Sequence, residues 1–204
     1  MYLRGLEQYL KDVASDQQFA SKLAEAAFRP MMELTEIVMD EAPIDAVWMT
    51  EDLGEARGPL FRPEKYKSLY KPWHEEVVRR THRKHVKAFL HSHGNVTPLF
   101  RDLVDAGFDC IDPLDPADNM DLAQLKASFG GKVTLMGGIT RDVGLMSAEQ
   151  LERHIDDRVR VGSPGGGYIL MCAGGVPPEM ILANFNLYLR SVERYRRIVT
   201  DRRR

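Results

Sequence analysis

The chain has 204 residues, 44% hydrophobic and 28% charged, which is enough apolar material for one substantial core and predicts a single domain over residues 1–204. Its net charge of −2 excludes a global field that would attract nucleic acid or an anionic membrane. No apolar run approaches the roughly 18 residues needed to cross a bilayer. Two cysteines cannot form a disulfide framework, so we expect a cytoplasmic protein without a membrane or nucleic-acid partner.

The first half of the chain alternates between helical periodicity and short apolar runs. Asp16 is expected to cap the longest helix, because an aspartate side chain accepts backbone N–H groups in a first turn. Pro63 is expected to begin another helix, since proline is tolerated in a first turn. The predicted elements are a helix over 5–13, a helix over 16–40, a strand over 45–50, a helix over 63–83 and a strand over 86–91.

The second half continues the same alternation. Gly107 is expected to end one helix, because glycine adopts the left-handed conformation that follows a last turn. Ser147 and Gln150 have the spacing of a capping box and predict the start of another. The predicted elements are helices over 96–106, 121–129, 147–161 and 178–199, with strands over 108–112, 132–137 and 167–172.

Five apolar strands, each followed by a helix, predict an α/β fold with parallel pairing through right-handed crossovers. A doubly wound open sheet and part of a barrel both suit this order. The open sheet should carry a glycine fingerprint that follows a strand and opens a helix, and the Gly-rich stretch 162–167 instead precedes a strand. We therefore expect an incomplete TIM barrel of about five βα units, where eight would close it.

Polar residues follow each predicted strand. Active sites of TIM barrels are built at these carboxyl-terminal strand ends, so the clusters predict one shared site. The clusters lie at residues 50–54, 91–95, 112–115, 137–140 and 172–175.

The histidines and the cysteine among these residues suggest a metal. His91 and His93 are two residues apart, and in continuing β geometry both side chains point to the same side. Cys172 would add a thiolate and Glu51 or Asp52 a carboxylate, a donor set that zinc accepts. The alternatives are a histidine that hydrogen-bonds a substrate and an inert buried cysteine.

The other cysteine and histidines are expected to play no part in the site. Cys110 lies inside a predicted strand and is assigned to the core. The remaining histidines fall in helical or linking stretches and are expected at the surface: His74, His82, His85 and His154.

Several runs together resemble the uroporphyrinogen decarboxylase superfamily, over about residues 2–197. The segment after the first strand, Glu51-Asp52-Leu53-Gly54 with Gly58-Pro59-Leu60-Phe61-Arg62-Pro63, resembles the segment after a mid-barrel strand in that superfamily. The further matching runs are Leu90-His91-Ser92-His93-Gly94-Asn95, Ala106-Gly107-Phe108-Asp109, Val133-Thr134-Leu135-Met136-Gly137-Gly138 and Gly167-Tyr168-Ile169-Leu170.

The resemblance implies one of two chemistries. Methyltransferases of the superfamily move methyl groups between a corrinoid protein, a thiol such as coenzyme M, and methylated small molecules. Some of them use zinc held by a His-x-Cys pair and a later Cys. His91 and Cys172 match that pattern, whereas His93 stands where the first Cys would be, which makes the site harder and less rich in thiolate.

Uroporphyrinogen decarboxylases instead remove carboxyl groups from a tetrapyrrole without metal or cofactor, and their pattern matches less well. Their Gln-Gly-Asn-Leu-Asp run corresponds to residues 136–140, where Thr140 replaces the acid. Their Gly-His-Gly corresponds to residues 172–175, which lack the histidine. In this alternative Asp52 and His91 would orient pyrrole nitrogens.

The preferred hypothesis is a methyltransferase-like enzyme with a small-molecule substrate, and its candidate partner and cofactor are a corrinoid protein and zinc. Its catalytic residues would be Glu51, Asp52 and His91, and its metal ligands His91, His93 and Cys172. The residues expected to bind substrate are Asn95, Asp112, Gly137 and Gly138. A third hypothesis is a catalytically incomplete fragment or binding module, and five strands also predict a separate N-terminal half or a homo-oligomer as partner.

Overall fold

A computed structural model describes residues 3–201, with side chains described for residues 3–196. The helices are α1 Leu6–Ser15, α2 Gln17–Glu41, α3 Pro63–Leu69, α4 Lys71–Arg83, α5 Phe100–Asp105, α6 Leu122–Phe129, α7 Ala148–Gly162 and α8 Leu182–Asp201. The strands are β1 Ala46–Thr50, β2 Gly54–Glu55, β3 Gly58–Pro59, β4 Lys87–His91, β5 Cys110–Asp112, β6 Thr134–Ile139 and β7 Tyr168–Cys172.

Five of these strands form one parallel sheet in the order β1-β4-β5-β6-β7, with helices alternating along the chain. The predicted α/β class and incomplete TIM barrel are confirmed. The chain divides into two compact units, Met1–Cys110 and Ile111–Arg204. One domain over residues 1–204 stays a prediction.

In the first unit β1 and β4 pair in parallel from Ala46 opposite Lys87 to Thr50 opposite His91. Asp16 caps α2 as predicted, and its carboxylate accepts the Phe19 N–H at 3.0 Å. The helix predicted over residues 63–83 is wrong as one element, because it divides at Tyr70 into α3 and α4. Pro72 lies in the first turn of α4, where its missing N–H costs no hydrogen bond.

The first unit also contains a two-stranded antiparallel hairpin, β2 with β3, that the sequence did not predict. Its four residues are too few to show an alternating pattern. The helix predicted over residues 96–106 begins as a 3-10 turn, Thr97–Leu99, before α5.

In the second unit β6 and β7 pair in parallel from Leu135 opposite Tyr168 to Ile139 opposite Cys172. β6 extends to Ile139, beyond the predicted strand end at residue 137. Gly138 therefore lies inside the strand with Gly137, and not in the loop after it. The predicted capping box at Ser147 and Gln150 is present at the start of α7.

One apolar cluster of this unit joins β6, the turn after it and α7. Its fully buried members are Ile139, Val143, Leu151 and Ile155. The last helix begins at Leu182, four residues later than predicted, because Pro177 and Pro178 belong to the preceding turn. Within residues 3–201 no helix is long and apolar enough to cross a membrane.

Candidate functional site

In the first unit, the loops that follow β1 and β4 are tied together by hydrogen bonds. The Glu51 N–H donates to the His91 carbonyl at 3.0 Å and continues the strand ladder. The His93 N–H donates to Asp52 Oδ1 at 3.0 Å, and the Leu53 N–H donates to Ser92 Oγ at 3.0 Å. The carboxylate of Asp52 therefore fixes the loop, while its predicted catalytic role stays a prediction.

Gly54 and Gly94 allow the loops after β1 and β4 to approach each other closely. Gly94 has φ +86°, and an ideal Cβ placed on it would lie 2.1 Å from the carbonyl carbon of Gly54. A side chain at position 94 would therefore collide with backbone. Just beyond, the Asn95 N–H donates to the Glu55 carbonyl at 2.8 Å, and Asn95 Oδ1 accepts the Thr97 N–H at 3.1 Å.

The two histidines of the β4 end lie side by side. The ring centroids of His91 and His93 are 4.8 Å apart, and the ring planes are nearly perpendicular, at 83°. His91 also packs edge-on with Trp48, and their ring centroids are 5.8 Å apart. Both histidines are half-buried.

Behind Glu51 lies a histidine that the sequence analysis assigned to the surface, and that prediction is wrong. His74 is fully buried; its Nε2 hydrogen-bonds Glu51 Oε1, and its Nδ1 lies 3.0 Å from the Tyr66 hydroxyl. Burial raises the pKa of Tyr66 well above its usual range, and the negative charge of Glu51 raises it further. The three residues form a continuous hydrogen-bonded chain.

The sequence carried a signal for this buried histidine. Tyr66, Tyr70 and His74 recur every four residues, and Val77 and Val78 continue the same apolar face. Because all five side chains lie on that face, His74 belongs with the core residues of α4.

The other three histidines divide between surface and interior. His82 and His85 are exposed as predicted, and His82 Nε2 pairs with Asp109 at 2.7 Å. His154 is half-buried, contrary to prediction, and its Nε2 accepts the Thr140 N–H at 3.2 Å. Burial lowers the pKa of His154, which keeps the ring neutral and able to accept that hydrogen bond.

In the second unit, the acids near the end of β5 are buried. Asp112 is 1% exposed. Asp115 and Asp118 both bind Arg141 Nη1, at 2.8 and 2.9 Å. Two buried carboxylates thereby share one guanidinium, which supports the loop after β6 and commits these acids to structure.

Gly137 and Gly138 give the second unit a backbone approach of its own. An ideal Cβ on Gly137 would lie 1.5 Å from the Pro113 carbonyl oxygen, and that oxygen accepts the Gly138 N–H at 3.1 Å. The Tyr168 hydroxyl donates to the Gly137 carbonyl at 2.8 Å. Both glycines are therefore used to pack β6, and their role in substrate binding stays a prediction.

Cys172 packs against the apolar cluster of β6 and α7. Leu170, two residues earlier on the same face of β7, packs there as well. The Cys172 thiol donates to the Gly175 carbonyl at 2.8 Å. Burial raises the pKa of this thiol and outweighs the opposing effect of the Gly174 N–H, so the group is held as a neutral thiol.

The zinc site predicted for His91, His93 and Cys172 stays a prediction. Zinc binds a cysteine as its thiolate, so binding at Cys172 would require release of the proton that the thiol now donates to the Gly175 carbonyl. In the part of the chain that the structure describes, no three histidine, cysteine, aspartate or glutamate side chains form a group that could hold a metal ion. Cys110 is buried in β5, in agreement with its assignment to the core.

Comparison with known proteins supplies the family. The sequence of residues 1–195 matches the family described as uroporphyrinogen decarboxylase (URO-D). No curated protein sequence matches the chain. Among solved structures, a methyltransferase from Methanosarcina mazei has the same fold, with a TM-score of 0.73 at 15% sequence identity.

The match to that methyltransferase covers 93% of this chain and 53% of the other, so this chain spans about half the length of its structural relative. Because the family match extends over nearly the whole sequence, the chain belongs to the uroporphyrinogen decarboxylase family.

Proposed function

Starting from that family membership, we propose that the chain is part of a methyltransferase that moves a methyl group between a small methylated compound or thiol and a corrinoid. The observation that carries the proposal is the Glu51 carboxylate, held by buried His74 at the end of β1, where the next strand of the sheet, β4, ends at His91. A fixed carboxylate can take a proton from a small acidic group, and nearby imidazole nitrogens can hydrogen-bond the resulting anion.

The proposed reaction has two steps, a proton transfer and then a methyl transfer. Glu51 takes the proton of a thiol and leaves a thiolate. The thiolate sulfur then forms a bond to the methyl carbon of methylcob(III)alamin, while the carbon–cobalt bond breaks and its electron pair stays on cobalt as cob(I)alamin. The reverse cleavage, of a methylated compound by cob(I)alamin, conserves the same atoms and electrons. His91 and Asn95 would orient the small substrate.

Two further observations support methyl transfer over tetrapyrrole decarboxylation. Thr140 stands where the decarboxylase pattern carries an acid, and the nearby acids Asp115 and Asp118 are bound to Arg141.

Decarboxylation is the second candidate, favoured by the family's own description. In that alternative Asp52 and His91 would hold the pyrrole nitrogens and no cofactor would be needed. The compartment that we propose for either reaction is the reducing cytoplasm, since neither Cys110 nor Cys172 forms a disulfide.

The test is a pair of assays on the chain, alone and with a supplied N-terminal half of the barrel. Anaerobic methylcob(III)alamin with 2-mercaptoethanesulfonate should give cob(I)alamin and the methyl thioether, while uroporphyrinogen should be unchanged. Glu51→Gln should abolish the transfer and Glu55→Gln, which alters an exposed acid in the same loop, should not. Release of carbon dioxide from uroporphyrinogen without thioether formation would establish the decarboxylase instead.

We also propose that strands beyond these five complete the barrel, supplied by an N-terminal half or by a second copy. β1 and β7 end the sheet, and a closed TIM barrel needs eight strands. In the first unit α2 exposes an apolar stripe, Met31, Leu34 and Ile37, with 61%, 53% and 58% of each residue accessible. Burial of such apolar surface against another surface contributes about 25 cal/mol of stability per Å².

A further inference from the structure

The carboxylate of Glu51 is bound from the interior of the first unit. Only 17% of the Glu51 side chain is exposed, and the His74 side chain behind it is not exposed at all. His74 Nε2 bonds to Oε1, and among the described residues Glu51 Oε2 has no hydrogen-bond partner. One carboxylate oxygen is therefore fixed inside the protein and the other stays available.

The directions of these hydrogen bonds depend on the tautomer of His74, and an ionised Glu51 would select one tautomer. An ionised carboxylate can only accept, so the proton between Glu51 and His74 resides on Nε2. In a neutral imidazole Nδ1 is then an acceptor, and the Tyr66 hydroxyl must donate to it across 3.0 Å. The Glu51 carboxylate and the Tyr66 hydroxyl thus both favour the tautomer of His74 that presents an N–H to Glu51.

Aromatic rings hold the His74 imidazole in place. Its centroid lies 5.3 Å from that of Phe108 and 5.4 Å from that of Tyr66, with ring planes inclined by 73° and 62°. Phe28 and Tyr70 complete the surround, at 6.2 and 6.4 Å. A ring packed on its edges by four others cannot rotate freely, and the apolar surround strengthens the hydrogen bonds inside it.

We propose that His74 and Tyr66 are positioning residues that hold Glu51 in one orientation, with Oε1 fixed and Oε2 left to receive the proton of the substrate. The proposal rests on the methyl-transfer function given above, because it names the groups that prepare its proton acceptor. Holding the acceptor rigidly lowers the cost of orientation in the reaction step and leaves the affinity for substrate nearly unchanged.

The first test does not depend on catalysis. Nitrogen-15 NMR of histidine-labelled protein reports the tautomer of each ring, and the His74 signals are assigned by their loss in His74→Gln. We expect the Nε2–H tautomer in the wild-type protein, and a mixture of tautomers in Glu51→Gln, whose amide can donate as well as accept. A wild-type His74 that carries its proton on Nδ1, or on both nitrogens, would overturn the proposal.

The second test measures the methyl transfer. Tyr66→Phe removes one oxygen and preserves the ring, so we expect it to fold and to lower kcat by about tenfold or more, with KM changed less than about threefold. His74→Gln keeps an N–H near the position of Nε2 and should retain more of kcat than His74→Leu. Far-ultraviolet circular dichroism establishes that each variant is folded.

Tyr9→Phe is the matched control. It also removes a buried hydroxyl, the one bonded to Tyr70, but that hydroxyl does not belong to the chain that reaches Glu51. We expect wild-type kcat in this variant. A folded Tyr66→Phe or His74→Leu protein with wild-type kcat would refute the positioning role. Absence of methyl transfer in the wild-type protein would refute the proposed function, and the tautomer measurement would still decide the arrangement of His74.

Discussion

Replacement of Gly94 by alanine should separate the loops that carry the candidate site. The added Cβ would lie 2.1 Å from the Gly54 carbonyl carbon and 2.4 Å from both the Gly54 oxygen and the Glu55 nitrogen. These are backbone atoms, so no rotamer change relieves the collision. Ordinary contact begins at 3.4 Å, so the two loops must move apart by about 1.3 Å, the difference between 3.4 and 2.1 Å.

That displacement determines the expected loss of stability. Alanine at φ +86° costs about 1–2 kcal/mol. Moving the loop also breaks the bonds from the His93 and Asn95 N–H groups, each contributing about 0.5–1.5 kcal/mol. We expect the free energy of unfolding to fall by about 2–5 kcal/mol in total.

Urea unfolding followed by circular dichroism measures this change, and Gly131→Ala is its control. Gly131 has no neighbouring atom within 4 Å of an added Cβ and no positive φ. If Gly94→Ala unfolds with the same midpoint as Gly131→Ala, the close approach of the two loops does not exist in solution.

Three further changes test other parts of the structure. Arg141→Gln leaves the buried carboxylates of Asp115 and Asp118 without their cation and should lower the free energy of unfolding by about 1–3 kcal/mol. The control is Arg153→Gln, which loses only an exposed pair with Glu149 and should cost less than about 0.5 kcal/mol in the same urea series. Because burial lowers the pKa of His154 below its ordinary 6.5, the stability that its neutral form provides is present above that value and is lost as pH falls below it. Melting temperatures at pH 7.5 and 5.5 should therefore differ more in the wild-type protein than in His154→Gln, and equal differences would contradict the buried acceptor role; His85→Asn, at an exposed histidine, should behave as wild type. Light scattering with thermal unfolding at two concentrations should show a chain that is weakly stable or self-associates. Leu34→Glu on the exposed stripe of α2 should reduce that association. A monodisperse wild-type monomer with one cooperative, concentration-independent transition would show that five βα units suffice for a stable domain.

The element order was accessible from the sequence because it depends on local interactions. The caps at Asp16 and Ser147 satisfy backbone donors within three residues of themselves, and both are present where the sequence placed them. The five strands were recognisable as short apolar runs between helical periods, since strands covered on both faces need no alternation. The break at Tyr70 was missed because the apolar periodicity continues across it from α3 to α4.

The candidate site was only partly accessible, because a residue's position along a strand does not say what its side chain meets. Glu51 and His91 were identified by their place at strand ends. The partner of Glu51 is His74 in α4, 23 residues further along the chain. The helical period places His74 on the apolar face and leaves its hydrogen-bond partner undetermined. Only packing decides which carboxylate meets that ring.

Cys172 shows the same division between sequence and tertiary structure. Its position at the end of β7 could be read from the sequence, and so could the fact that it shares a face with Leu170, two residues earlier. Which of the two faces meets the apolar cluster of Ile139 and Leu151 depends on how α7 folds back over β6 and β7. The sequence by itself determined which residues share a face, because the backbone period is local. The tertiary structure alone decided what each face contacts, because those contacts join residues far apart in the chain.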